Sequence, residues 1–160
     1  MSAPDTGSTK PSNRRRHPAH GVRIESAAPT IVFLTAGTNN RMPWLASADV
    51  HALLRRAWTE ASAWLVGRYM VMPDQVHLFA TPGHKEIEFD NWVRYWKSLV
   101  SKAVGNKTYR WQTDHWDRRM RTASECAEKW DHVSANPLRH GLVKRSEDWP
   151  YHGVLNPLEW

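Results

Sequence analysis

Residues 68–81 read RYMVMPDQVHLFAT. Two short apolar runs, RYMVM and QVHLFAT, flank Pro73-Asp74, a pair suited to a tight turn, so the stretch predicts two strands folded back on each other. What surrounds this hairpin sets the fold class. Upstream, TIVFLTAG (30–37) is β-branched and apolar and predicts a buried strand. Between them, Val50, Leu53, Leu54, Ala57, Trp58, Ala61, Trp64 and Leu65 recur at helical spacing. They predict an amphipathic helix over 48–66, with Ser47 as its N-cap and Gly67 just past its end.

Downstream, residues 88–104 predict a second helix with Phe89, Trp92, Val93, Trp96, Leu99, Val100 and Ala103 inward and Arg94, Lys97, Ser98, Ser101 and Lys102 outward. YRWQ and WDRRMR read as short extended pieces. Thr122-x-x-Glu125 is a capping box that starts a third helix, running to about Ala135. Pro137 disfavours helix at Asn136, which falls in the last turn or at its end. Strand, helix, strand, strand, helix, short strand, helix is the order of an α+β fold, an antiparallel sheet with helices packed on one face.

The 160 residues suffice for one domain, expected over 30–160, preceded by a disordered basic tail over 1–29 rich in Ser, Pro, Gly and Arg. The net charge of +6 is concentrated in the tail and in residues 88–145. That suits a polyanion such as nucleic acid, and equally a solvated basic surface. Cys126 is the single cysteine, so no intramolecular disulfide can form and a reducing compartment fits. No apolar run approaches the roughly 20 residues of a membrane span, and the N-terminus has no apolar signal core. Of the ten tryptophans, most are expected in the core and a few as stacking platforms.

Gln75 and His77 lie two apart in the second strand of the hairpin and point to the same side, roughly 6.5–7 Å apart. An imidazole and a carboxamide oxygen so placed could hold one side of a hard divalent ion such as Mg²⁺ or Mn²⁺. They also fit an ordinary solvent face. In the third helix Glu128, His132 and Asn136 are spaced four apart and share one face, with Glu125 nearby. That row could complete a metal site or present a nucleophile, or form a polar helix surface.

YMVMPDQVHLFATPG, WVRYWKS, RWQTDHWDRRMR, WDHVSANPLRHGLV and EDWPYHG, in this order, resemble the single-tyrosine HUH transposases, in particular the REP-associated tyrosine transposases. The resemblance spans about residues 29 to 153. It implies a ferredoxin-like, palm-type domain that binds hairpin-containing single-stranded DNA. In that family a helix tyrosine attacks a DNA phosphate, giving a 5′-phosphotyrosine and a free 3′-OH, with a divalent metal held by the histidine pair. Carried over by position, the first histidine of the pair is Gln75, the second is His77, the tyrosine is His132, and a further ligand is Asn136. Tyr69, Tyr95, Tyr109 and Tyr151 all lie outside the third helix.

The resemblance therefore implies a transposase-like protein whose strand-cleavage chemistry is impaired, with Gln75, His77 and Asn136 the remains of a site for Mg²⁺ or Mn²⁺ and His77 and His132 at its catalytic positions. Arg94, Lys97, Lys102, Arg118, Arg119, Arg121, Arg139, His140 and Lys144 are expected on DNA phosphates, with Trp111 or Trp116 stacking on a base. An active nicking enzyme using His132 with a metal is one alternative, and an RNA- or protein-binding module another. The short link between RRMR and the third helix favours a monomer. The expected location is cytoplasmic, nucleoid-associated if bacterial.

Overall fold

The computed structural model describes residues 30–159; the expected tail over 1–29 lies outside them. Five strands form one sheet: β1 (Ile31–Gly37), β2 (Trp64–Val71), β3 (Gln75–Pro82), β4 (Trp116–Met120) and β5 (His152–Val154). Their order is β4-β1-β3-β2-β5, and every pairing is antiparallel. The first four strands, with α1 (Ala48–Glu60) between β1 and β2 and α2 (Phe89–Val104) between β3 and β4, make the βαββαβ ferredoxin-like arrangement. The hairpin forms as its turn chemistry requires. Met72 N–H donates to Gln75 O at 2.8 Å, and Asp74 O accepts from Thr38 N–H at 3.0 Å, tying the turn to the end of β1.

Strand alternation splits the buried residues into two sets. Val32, Leu34, Ala36, Val66, Tyr69, Val71, Val76, Leu78 and Ala80 point to one face and pack beneath α1 and α2, together with Trp44, Trp58, Trp64, Trp92 and Trp96. Ile31, Phe33, Met70, Phe79 and Met120 point to the other face, which α3 (Ala123–Ser134) covers through Val133, Trp130 and Cys126. The two long helices share one face as expected, while the third lies across the opposite face. A one-turn helix, α4 (Asn136–Arg139), follows α3 with Pro137 in its first turn.

Three local expectations change. The first helix ends at Glu60 rather than at 66, and Trp64 and Leu65 open β2. The Ala61 carbonyl is taken by the indole N–H of Trp92 on α2 at 2.7 Å, and the chain turns there. Trp64 is buried in either reading, so helical spacing alone did not separate them. Gly67 lies inside β2, beside a register shift between Val66 and Tyr69. A Cβ there would come within 2.6 Å of the Leu158 side chain, which would have to move aside. Lys97, expected on the outward side of α2, is 7% exposed, while YRWQ, read as an extended piece, contributes one isolated bridge, Thr38 to Trp111. Ser47 and Thr122 do cap their helices, accepting from Val50 N–H at 3.1 Å and Glu125 N–H at 3.0 Å. No helix among the described residues is long and apolar enough to cross a membrane.

Candidate functional site

The face under α3 is where the polar residues of the hairpin point. Thr35 of β1 pairs directly with His77 of β3 on one side and with Trp116 of β4 on the other. Thr35 Oγ1 and His77 Nδ1 are 2.9 Å apart, and the imidazole stacks on Phe33 with centroids 5.8 Å apart and planes 9° apart. His77 is 8% exposed, and its Nε2 has no hydrogen-bond partner among the described residues. Burial holds this imidazole well below its ordinary pKa, at about 4, with Lys129 and His132 adding to the depression and Asp74 opposing it. His77 is therefore neutral at pH 7. In the tautomer whose Nδ1–H donates to Thr35 Oγ1, Nε2 presents a bare lone pair.

Helix α3 sets cations over this strand face. The Lys129 ammonium lies 5.2 Å from the centre of the Phe33 ring and 5.7 Å from that of Trp116, which is 37% exposed. His132, one turn on, is exposed and acts electrostatically on His77. Asn136 is buried at the start of α4. Arg139 joins these two. Its guanidinium donates to Asn136 Oδ1, to the His132 carbonyl at 3.1 Å and to His132 Nε2 at 3.4 Å. Because arginine can only donate, that ring nitrogen is the acceptor and the His132 proton sits on Nδ1. Arg139 thus ties His132 to Asn136, and His132 lies close enough to His77 to act on its charge across the cleft between α3 and the sheet; Gln75 is half-buried on the same side of β3 as His77.

These residues fit a divalent ion poorly. Of them His77 offers a buried, unpartnered ring nitrogen, Asn136 Oδ1 is held by a guanidinium, and none of Gln75, His77 and Asn136 carries negative charge. Lys129 and Arg139 already bring positive charge to the cleft. Hard cations are bound through anionic oxygens, so this donor set lacks what would offset desolvation of the ion.

The remaining expected DNA contacts separate. Arg118 points to the α3 side and pairs with Glu125 at 2.9 Å, whereas Arg119, its neighbour in β4, points to the opposite side. Arg121 is exposed just before α3, and its N–H donates to Glu125 Oε1 at 2.6 Å. His140 and Lys144 are exposed beyond α4. Arg94, Lys97, Lys102 and Trp111 line a groove of about 580 Å³ on the outer side of α2, away from the cleft. Trp111 is half-buried, edge-on to Trp96 with ring centroids 5.4 Å apart, so of the two tryptophans Trp116 is the one in the cleft.

Sequence reasoning missed Lys129, one turn before His132. It also missed a cluster under α2. His115 Nε2 lies 2.9 Å from Asp90 Oδ1 and 3.1 Å from Asp117 Oδ2, with the His115 and Asp117 side chains 5% and 0% exposed. The alternation of His115 and Asp117 in TDHWD was the available signal; Asp90, from the first turn of α2, comes from 25 residues earlier in the chain. The cluster ties the start of α2 to β4.

No protein-family model matches the chain. Among curated proteins it is 25% identical over 138 residues to the REP-associated tyrosine transposase of Escherichia coli (strain K12), covering 80% of this chain and 82% of that protein. It is 24% identical over 94 residues to a putative REP-associated tyrosine transposase of Haemophilus influenzae, covering 51% and 53%. Among solved structures, a REP-associated tyrosine transposase bound to a REP hairpin superposes with a TM-score of 0.65 at 24% identity, over 84% of this chain and 82% of the other. A putative transposase of Deinococcus radiodurans superposes with a TM-score of 0.50 at 14% identity, over 70% and 94%. The ferredoxin-like fold is shared with these structures, and the chain is homologous to the REP-associated tyrosine transposases.

Proposed function

We propose that this chain is a transposase-like protein that binds hairpin-containing single-stranded DNA in the cleft beneath α3 and does not form the phosphotyrosine link of its relatives. The observation that carries the reading is the make-up of three elements, with a buried imidazole on β3, Lys129 and His132 on α3, Asn136 and Arg139 on α4, and no tyrosine on any of them. Tyr69 is buried on the opposite face, bonded to His51 Nε2 at 2.7 Å and Arg55 Nη1 at 2.5 Å. Tyr95 is on α2, Tyr109 stacks on Trp44, and Tyr151 packs against Trp149. The relative whose structure holds a REP hairpin supports DNA of that kind as the ligand.

In this reading Gln75 and His132 stand where the relatives carry a histidine and the nucleophilic tyrosine. Arg139 and Lys129 draw a DNA phosphate into the cleft, Arg118 adds charge when it leaves Glu125, and Trp116 takes an unpaired base. His132 is a weak candidate nucleophile, since the lone pair it would use accepts from Arg139. The protein works as a monomer, in the compartment that holds the DNA.

The test compares the natural chain with the double variant Gln75→His/His132→Tyr on hairpin single-stranded DNA in Mn²⁺. The natural chain binds and gives neither nick nor adduct. The double variant has a second imidazole donor and a phenol that can attack phosphorus, and it gives a covalent protein–DNA adduct and a free 3′-OH. Each single change gives far less, because groups that act as one unit are non-additive. Cleavage by the natural chain that is lost in His132→Ala would overturn the impaired reading. Failure to bind hairpin DNA at low salt would overturn the binding reading.

A further inference from the structure

We propose that the outer face of α2 is a second nucleic-acid site, one that takes an unpaired strand rather than the hairpin. It rests on the reading of this chain as a DNA-binding protein, but on none of the residues of the cleft. The groove there holds about 580 Å³ and is lined by five cations, Arg94, Lys97, Lys102, Lys107 and Arg110, and, among the described residues, by no acidic one. Helical spacing puts Arg94, Ser98 and Lys102 in one stripe, about 12 Å from end to end at 1.5 Å per residue. Gly105 ends α2 in the left-handed region, with φ of 68°, and the chain then folds back so that Lys107 and Arg110 face the same groove.

Arg94, Lys102, Lys107 and Arg110 are exposed. Lys97 is anchored by donating to the Gln112 carbonyl at 2.9 Å, and its ammonium lies 5.9 Å from the centre of the Trp111 ring. The four exposed cations, Arg94, Lys102, Lys107 and Arg110, repel one another, and a phosphodiester chain relieves that repulsion while releasing its own counterions.

The second observation is Tyr95. Its neighbours on α2, Trp92 and Trp96, are 1% and 0% exposed, but its own ring is 49% exposed beside Arg94 and one turn from Ser98. Tyr95 stands beside the groove rather than in its lining, so its exposed face is open to an unpaired base of a strand whose phosphates the groove holds; bases in a duplex have no free face to offer. The groove is separated from the cleft by α2 and by the sheet. The two sites therefore present separate surfaces to DNA.

The experiment uses the full chain and fluorescence anisotropy with a twelve-residue oligo-dT, a hairpin DNA and heparin. In Lys102→Glu/Lys107→Glu/Arg110→Glu, oligo-dT affinity falls at least tenfold. The slope of log K against log salt falls by about 2 in magnitude, at roughly 0.7 for each phosphate that is no longer neutralised. Tyr95→Ala weakens oligo-dT at least fivefold and leaves heparin, which has no bases, unchanged. Circular dichroism checks folding, and the same three positions changed to Gln serve if the Glu variant is unfolded. Unchanged oligo-dT affinity in a folded triple variant overturns the site, whether or not hairpin DNA still binds. Equal losses for oligo-dT and heparin in Tyr95→Ala overturn its assignment to unpaired bases. Retained oligo-dT binding that depends on these residues, in a chain that ignores hairpins, leaves this site standing and removes the proposed function instead.

Discussion

The two faces of the sheet are built for different ends. Beneath α1 and α2 the layer is aromatic and closed: Trp58 and Trp92 each meet Trp96 edge-on, and Trp92 and Trp64 anchor their indole N–H groups on the Ala61 and Ile87 carbonyls. Beneath α3 the layer is smaller, and its border is polar, with the unpartnered nitrogen of His77 in the field of a lysine and a second histidine. The first face holds the fold together. The second gives up some of that burial, and what it gains is an open row of polar atoms on a rigid strand.

The largest test of this contrast is in stability. Trp96→Ala on the closed face removes a fully buried indole that meets Trp58, Trp92 and Trp111, and is expected to cost about 3–5 kcal/mol. Val133→Ala, the α3 residue most deeply set on the open face, is expected to cost about 2 kcal/mol. Urea titrations of both check this. Equal costs would mean that α3 contributes as much to the fold as the helix pair, and the contrast would be lost.

Acid should act through the open face. Native His77 stays neutral down to about pH 4, while the unfolded chain takes up that proton near 6.5, so the unfolded state binds more protons in between. The stabilisation is fully present above pH 6.5 and is lost as pH falls through 4, about 3 kcal/mol in all. His51 on the closed face is shifted the same way by burial, with Arg55 and His152 adding, so it contributes acid sensitivity of the same sign. His77→Phe, which keeps a ring against Phe33, should flatten the fall of melting temperature between pH 6.5 and 4 without abolishing it. An unchanged slope would mean that the imidazole is already hydrated in the native state.

How much of this was readable from the chain follows from what each feature depends on. The hairpin, the two long helices and the capped start of α3 rest on local rules, on alternation, helical spacing and turn or cap residues, and those were legible. The end of α1 was not, because it is fixed by an indole from α2 that reaches the Ala61 carbonyl. β5 is three residues long and exists only because β2 offers an edge. At the cleft, the spacing of Gln75, His77, His132 and Asn136 showed which residues share a side. That Arg139, exposed as its charge suggested, would also fold back along the surface onto Asn136 and His132 depends on the one-turn helix that holds Pro137. Arg118 and Arg119 look alike in sequence, yet strand alternation sends them to opposite faces.

That last division yields the finest test. Arg118 lies on the open face but is held by Glu125, whose other oxygen accepts the Arg121 N–H. Glu125→Gln keeps an oxygen for that backbone bond and removes the charge that holds Arg118. The pair is exposed, so stability should fall by less than about 1 kcal/mol. The freed guanidinium should strengthen hairpin binding by a few-fold and steepen the salt dependence by about one neutralised phosphate. Arg119→Gln, on the other side of the same strand, should leave hairpin affinity within twofold. If Glu125→Gln changes nothing and Arg119→Gln weakens hairpin binding, the DNA lies on the α2 side of the sheet, and the open face needs another ligand.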